Sequence, residues 1–346
     1  MPPRRVTSGQ LAGIVALALF TLGTETLPDR RSDAGGAAWL CPLAAGAVFL
    51  PLVWLWTRWS PVRRDSVRTH TAGTRSLAAL LLLWGLAATA EQACRVGLRL
   101  SEDLRGSPLM LTAALLVLAA WMASGGLAAL GRACQIFMMA VGLTFFFILL
   151  FGLSGLRWDW IVLWDAADLR ALPRGAARTM GTLSVGLYGL VLLEDAEPIQ
   201  RGPSWSAALF LPLALGTLLV TGRLGPGLAG RVRTPFFQMV SGLGFQGAFQ
   251  RLEELVSALW LLGDLTLLAL LLLALRRLLS GAAGRAETAA MGWLTAAAIL
   301  VLALCRSLWG SALEGFGSWT GSMAAGAGLT LWAALQKIFE KPKKGA

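Results

Sequence analysis

Ionisable side chains lie inside three long apolar stretches of the sequence. A charge is energetically costly there, so each of these side chains belongs to a candidate functional residue. Glu25 ends the first apolar run, and Asp264 lies within "WLLGDLTLLALLLLAL". Glu91 and Arg95 are four residues apart, so both lie on one face of a helix. Groups of this kind in a membrane helix could bind a ligand, a proton or a cation.

Each of these charges allows more than one interpretation. Glu91 and Arg95 could form an internal ion pair, or one of them could face a central cavity. Asp264 has no basic neighbour at helical spacing, so it must find a partner elsewhere, be protonated or coordinate a cation. Arg95 is the alternative partner for Asp264, in a purely structural bridge.

The composition predicts an integral membrane protein. Of the 346 residues, 56% are hydrophobic and 14% are charged, whereas soluble domains carry about 25% charged residues. The net charge of +11 comes from arginines at the ends of apolar segments, which favours anionic lipid over nucleic acid as the partner. The four cysteines are isolated and His70 is the only histidine, so we expect no metal site, no cofactor and no enzyme.

Ten apolar segments approach the length of about 20 residues that spans a bilayer. They lie at about 8–33, 37–57, 76–101, 107–123, 130–152, 179–196, 205–222, 245–278, 289–306 and 318–338. The stretch 223–244, rich in glycine and proline, is predicted to be a structured loop. The arginine cluster between residues 58 and 75 and the lysine-rich C-terminal tail place both termini in the cytoplasm. We expect one domain over residues 1–346.

Two of the predicted spans carry signs of an interruption. In the first, Gly23 and Thr24 precede Glu25 and Pro28, and in the sixth, glycines precede two acids and a proline. Interrupted segments five helices apart indicate a five-plus-five inverted repeat, with halves at about 8–152 and about 179–338. The fold is therefore predicted to be all-α, with helices one and six unwound. The alternative for the first segment is that the helix simply ends at Pro28, near the outer interface.

Unwound backbone needs a cavity, because lipid cannot satisfy its hydrogen bonds. We therefore predict a ligand site between the two interruptions. Tyr188, the only tyrosine, could reach this ligand or could simply fill a gap between glycines. The predicted ligand-binding residues are Gly23, Thr24, Glu25, Gly186, Tyr188 and Gly189.

Three blocks of the sequence resemble the B-subunit family of spore germinant receptors, also called spore germination permeases. They are "VTSGQLAGIVALALFTLGTETLP", "SPLMLTAALLVLAAWMASGGLAALGRACQIF" and "GFQGAFQRLEELVSALWLLGD". The resemblance covers roughly residues 6 to 338. This family is related to the amino acid–polyamine–organocation transporters, which implies a LeuT-type fold.

The resemblance also implies a function. It suggests a nutrient-binding subunit, with an amino acid as germinant, in the spore inner membrane beside an A-type and a lipoprotein C-type subunit. In the related transporters, helices one and eight flank a cation position, which makes Asp264 the candidate for proton or cation coupling, with Glu91 and Arg95 as further candidates. The alternative function is a secondary transporter that moves an amino acid with H⁺ or Na⁺.

Overall fold

The described part of the chain folds as a bundle of helices. The computed structural model describes residues 6–28, 34–59, 72–162, 164–195, 202–243, 252–284 and 286–309. Regular structure in these ranges is helical, and no β-strand occurs in them. The prediction of an all-helical chain is therefore confirmed for the described residues.

Twelve α-helices occur in the described ranges. They are α1 (Ser8–Thr26), α2 (Leu40–Trp59), α3 (Ala72–Leu104), α4 (Pro108–Ser124), α5 (Leu127–Leu153), α6 (Asp159–Val162), α7 (Ala166–Leu183), α8 (Gly202–Leu224), α9 (Pro226–Ala229), α10 (Pro235–Ser241), α11 (Leu252–Ala283) and α12 (Ala289–Trp309). Two 3₁₀ segments, Gly35–Ala37 and Ser184–Asp195, complete the order.

Several of these helices have the character of membrane spans. Four are long and apolar enough to cross a membrane, and they cover Gly9–Thr26, Leu127–Leu153, Glu253–Ala283 and Ala289–Arg306. Shorter apolar helices cover Leu40–Pro51, Pro108–Ser124 and Leu209–Leu224. Such helices indicate a membrane protein. The predicted tenth span, 318–338, and the C-terminal tail lie outside the described residues.

The interior of the bundle is built around α11 and α1. The buried share of the apolar stretch is 78% in α11 and 67% in α1. In α5 and α12 it is only 22%. α11 packs against α1, α3, α4, α5, α12 and the long 3₁₀ segment. A helix that is apolar on all sides is usually a buried one, which accounts for the central place of α11.

The predicted interruption of the first helix at Gly23 is wrong. α1 continues through this glycine to Thr26, and the amide of Leu27 donates to the Gly23 carbonyl at 2.9 Å. The threonine hydroxyls bond within the helix: Thr24 donates to the Phe20 carbonyl at 3.0 Å, and Thr26 to the Leu22 carbonyl at 2.7 Å. Gly23 instead permits close packing, because a methyl group there would overlap the side chain of Leu213.

The sixth segment changes its geometry where an interruption was predicted. The α-helix α7 ends at Leu183, and the chain continues as a 3₁₀ helix from Ser184 to Asp195. The predicted start of the sixth segment at residue 179 was wrong, because α7 begins at Ala166. Arg170 and Arg174 lie in these early turns, so the segment is too polar to be found by hydropathy.

Two short helices, α9 and α10, lie in the stretch 223–244 that was predicted to be a structured loop. α10 begins with Pro235 and packs against α1, α8 and α11. Phe236 on this helix is fully buried. α10 thus brings aromatic side chains to the region where α1 and α11 meet.

Candidate functional site

Three charged side chains meet in the interior of the bundle. The Nη2 of Arg99 donates to Oδ2 of Asp264 at 2.7 Å, and its Nη1 contacts Oε1 of Glu25. The side chains of Arg99, Asp264 and Glu25 are 5%, 2% and 5% exposed, respectively. We call Glu25, Arg99 and Asp264 the charged triad. It joins α1, α3 and α11, which come from the beginning, the first third and the last third of the chain.

Local packing brings these three helices close enough to share charges. Gly263 immediately precedes Asp264, and a methyl group on it would overlap the side chain of Thr21 on α1. The absence of a side chain at Gly263 therefore lets α11 approach α1 closely. Arg99 reaches both acids because α3 extends to Leu104 and packs along α11.

Aromatic rings surround the charged triad on the side of α10. The guanidinium of Arg99 lies 4.8 Å from the ring centroid of Phe237, within the range of a cation–π interaction. The indole of Trp260 donates to the Thr24 hydroxyl at 2.7 Å. Trp260 also packs against Phe236, with ring centroids 5.0 Å apart. The triad therefore lies in an apolar setting, where its electrostatic interactions are strong.

The triad carries an excess of negative charge when all its groups are ionised. Two carboxylates share one guanidinium, which leaves a formal charge of −1 on these three residues. Arg95, one turn earlier on α3, is within electrostatic reach of Asp264. The positive charge of Arg95 therefore offsets part of the negative charge of the triad.

The Nε of Arg99 has neither an acceptor nor an ion-pair contact among the described residues. This nitrogen is buried. Buried polar groups nearly always have a partner, so each exception needs an explanation. An acceptor such as the carboxylate of a bound ligand would complete the hydrogen bonding of this guanidinium.

Glu91 and Arg95 form a separate ion cluster. Glu91 Oε2 lies 2.6 Å from Nη1 of Arg306 on α12, and Glu91 Oε1 lies 3.7 Å from Nη2 of Arg95. The alternative in which Arg95 bridges to Asp264 stays a prediction: Asp264 forms an ion pair with Arg99, one turn further along α3, and Arg95 also acts on it electrostatically. This second cluster joins α3 to α12.

The residues predicted to bind a ligand are all buried, but they lie at two different heights along the axis of α1. Gly23, Thr24 and Glu25 lie at its C-terminal end, whereas Gly186 packs on Leu19. Leu19 and Gly23 are four positions apart along the helix, which is about 6 Å. The space beside Gly23 holds the Leu213 side chain. Their common cavity stays a prediction.

Tyr188 and Gly189 lie on the 3₁₀ segment, facing different helices. The Tyr188 hydroxyl donates to the Leu81 carbonyl of α3 at 3.1 Å, and its side chain is fully buried. A methyl group on Gly189 would press on Val15 of α1. The 3₁₀ segment is thus packed between α1 and α3, and Tyr188 ties it to the helix that carries Arg99.

Arg99 is the functional candidate that the sequence analysis missed. It falls two residues before the end of the predicted span 76–101, where an arginine resembles an ordinary interfacial charge. The signal that could have found it is its spacing, because Glu91, Arg95 and Arg99 recur every four residues and form one helix face.

No protein family model matches this chain, and no curated protein matches its sequence.

Proposed function

We propose that this chain is a transporter-like membrane protein that binds a small amino acid as a subunit of a spore germinant receptor. Its ten spans would form two inverted repeats of five, with the 3₁₀ segment Ser184–Asp195 as the irregular part of helix six. The observation that carries the binding function is the charged triad, in which the Nε of Arg99 has no acceptor among the described residues. Ionisable groups inside membrane helices commonly mark binding sites and ion pathways.

The triad offers both charges that an amino acid requires. An α-carboxylate would accept from the Nε of Arg99, and the α-ammonium would take one of the carboxylates, Glu25 or Asp264, as its partner. A zwitterion adds no net charge, so the exchange of partners leaves the electrostatic balance of the interior unchanged. The aromatic residues Phe237 and Trp260 would provide an apolar surface for a side chain.

Binding can be tested on the purified protein in lipid nanodiscs with a panel of labelled amino acids. The decisive variant is Arg99→Lys, which keeps the positive charge but removes Nε and the planar fork. We expect the affinity to fall about tenfold, as for the loss of one charged hydrogen bond. Arg132→Lys is the control, since Arg132 is exposed at the start of α5. Unchanged affinity in Arg99→Lys would remove the triad as the ligand site.

The receptor role and its partners are proposed from the three sequence blocks. We propose that A-type and lipoprotein C-type subunits assemble with this chain in the spore inner membrane. Co-expression of the three subunits, followed by affinity purification of one of them, tests the assembly. Recovery of this chain alone, with no subunit bound, would count against the receptor.

The proposed orientation places both termini in the cytoplasm. A membrane-impermeant maleimide should then fail to label Gly73→Cys in intact cells and should label it after permeabilisation. Labelling from outside would reverse the orientation. The native cysteines need replacement by serine first, because Cys94 and Cys305 are partly exposed.

A second candidate function is H⁺- or Na⁺-coupled transport of an amino acid. The formal charge of −1 on the triad favours it, because a bound cation or proton would neutralise this charge. Uptake of the same labelled amino acids into proteoliposomes separates the two functions. Accumulation that follows an imposed Na⁺ or proton gradient indicates a transporter, and binding without uptake indicates a receptor.

A further inference from the structure

A pair of single-turn helices lies at the end of the bundle at which α5 and α8 end. α6 follows α5, and α9 follows α8. We call residues 157–162 and 226–231, which contain these two helices, the rim. We propose that the rim lies in the headgroup layer of a phospholipid bilayer, with its apolar side chains in the edge of the hydrocarbon and its arginines on lipid phosphates.

Contacts with the end of α8 hold the rim in place. The amide of Arg157 donates to the Gly222 carbonyl at 3.0 Å. Ile161 is buried and packs on Gly222, where an added methyl group would overlap it. The ring of Trp160 lies beside Gly225, which links α8 to α9. α6 and α9 therefore form one surface, and α8 sets the depth of this surface in the membrane.

The length of α5 places the rim at headgroup depth. α5 has 27 residues, so it is about 40 Å long, which matches the thickness of a bilayer with its headgroups. Only 22% of its apolar stretch is buried, so most of this helix faces lipid. The chain positions directly after Leu153, the last residue of α5, therefore lie beyond the hydrocarbon core and among the headgroups.

Large apolar side chains of the rim are exposed. The exposed fraction is 59% for Trp158, 65% for Val162 and 49% for Leu228. Leu143, near the middle of the lipid-facing helix α5, is exposed to a similar extent, 57%. Apolar surface of this kind is unfavourable in water, and contact with hydrocarbon removes this cost. The rim thus continues the apolar surface of α5 beyond Leu153, which is 52% exposed.

Arginines accompany these apolar side chains. The guanidinium of Arg157 lies 4.2 Å from the ring centroid of Trp160, and Arg231 is exposed two residues after α9. Tryptophan concentrates at the boundary between headgroups and hydrocarbon, and a guanidinium can bind a phosphate with two parallel hydrogen bonds. The rim also carries an acid, Asp159, in the first turn of α6. Exposed tryptophan, aliphatic side chains and arginine directly after lipid-facing helices favour a phospholipid surface over a protein partner.

The test is the depth of spin labels on the full chain in phosphatidylglycerol nanodiscs. After replacement of the native cysteines by serine, Val162→Cys and Leu228→Cys each carry one nitroxide label. Collision with oxygen reports hydrocarbon, and collision with a water-soluble nickel chelate reports water. Leu143→Cys is the hydrocarbon reference, and Gln238→Cys, at an exposed position of α10, is the water reference. We expect the oxygen-to-nickel ratio at both rim positions to lie between the two references.

The double variant Arg157→Gln, Arg231→Gln tests the phosphate contacts. It should move the label at Val162→Cys towards the water reference, because the rim loses its hold on the headgroups. The matched control is Arg132→Gln, which removes an exposed arginine near the start of α5 and should leave the label at its depth. A ratio equal to the water reference at both rim positions would overturn the proposal and leave the rim as a surface for a protein partner. An unchanged ratio in the double variant, or an equal shift in the control, would reject the arginines as phosphate ligands.

Discussion

The guanidinium of Arg99 donates to the carboxylate of Asp264 at 2.7 Å, although 165 positions separate the two residues in the chain. The bond crosses from α3 to α11, and the same guanidinium contacts Glu25 on α1. A single side chain therefore holds two carboxylates inside an apolar bundle. A substitution of any one of the three residues should change the energetic effect of substituting the other two, because their charges neutralise one another.

Arg99→Met should be the most damaging change in the charged triad. It keeps an apolar side chain of similar length but removes the guanidinium that contacts both Glu25 and Asp264. The loss of one partner from a buried ion pair costs about 3–5 kcal/mol of folding stability. Thermal unfolding in detergent, followed by tryptophan fluorescence, measures the loss.

The triple variant Glu25→Gln, Arg99→Met, Asp264→Asn is the control for this prediction. It removes all three charges, so it should recover much of the stability that Arg99→Met loses. If Arg99→Met unfolds at the wild-type temperature, the triad does not stabilise the bundle.

Asp264→Asn should destabilise the fold less than Arg99→Met does, because Arg99 keeps Glu25 as its partner. The variant removes the excess negative charge of the triad. If Asp264 couples binding to a proton or cation, the affinity for the amino acid should lose its dependence on Na⁺ or pH. Titration of binding in buffers of different Na⁺ concentration and pH measures this dependence.

Glu287→Gln is the control for Asp264→Asn, since Glu287 is a partly exposed carboxylate at the end of the bundle. It should bind with the dependence of wild type. Unchanged ion dependence in well-folded Asp264→Asn would show that this carboxylate has no coupling role. A loss of folded protein as large as that of Arg99→Met would support a structural bridge.

Gly263→Ala should separate α11 from α1. The added methyl group would overlap the side chain of Thr21, and overpacking of this kind costs about 1–3 kcal/mol. Gly142→Ala is the matched control, because Gly142 lies in α5 with no neighbouring atom near the new methyl group. Thermal unfolding should show a lower midpoint for Gly263→Ala alone. Equal midpoints would mean that the close contact of the two helices is unimportant for stability.

Tyr188→Phe distinguishes the two interpretations of this tyrosine. It removes the hydrogen bond to the Leu81 carbonyl and keeps the ring that fills the space beside Gly85. If Tyr188 is a packing residue, loss of its hydroxyl should lower the stability of the protein by about 0.5–1.5 kcal/mol and leave the affinity for the amino acid unchanged. A fall in affinity at unchanged stability would instead identify its hydroxyl as a ligand contact.

Several features of this protein were determined by the sequence alone. The class of membrane protein and the helices follow from composition and from runs of apolar residues, which are local properties. An α-helix gives way to a 3₁₀ helix at Ser184, near the predicted interruption, but the chain stays helical through Gly186 and Gly189. Asp264 was singled out because an aspartate in an apolar run is costly wherever that run packs.

The tertiary structure determined which charged side chains contact one another and which structural role the glycines have. Gly23 looked like a point of unwinding, but α1 continues through it to Thr26, and Leu213 packs beside the glycine. The sequence analysis passed over Arg99, yet it forms an ion pair with Asp264. A helix face is set by spacing along one segment, whereas contact between segments depends on how their surfaces fit. Only the packing of α1, α3 and α11 therefore brings Arg99 to both carboxylates.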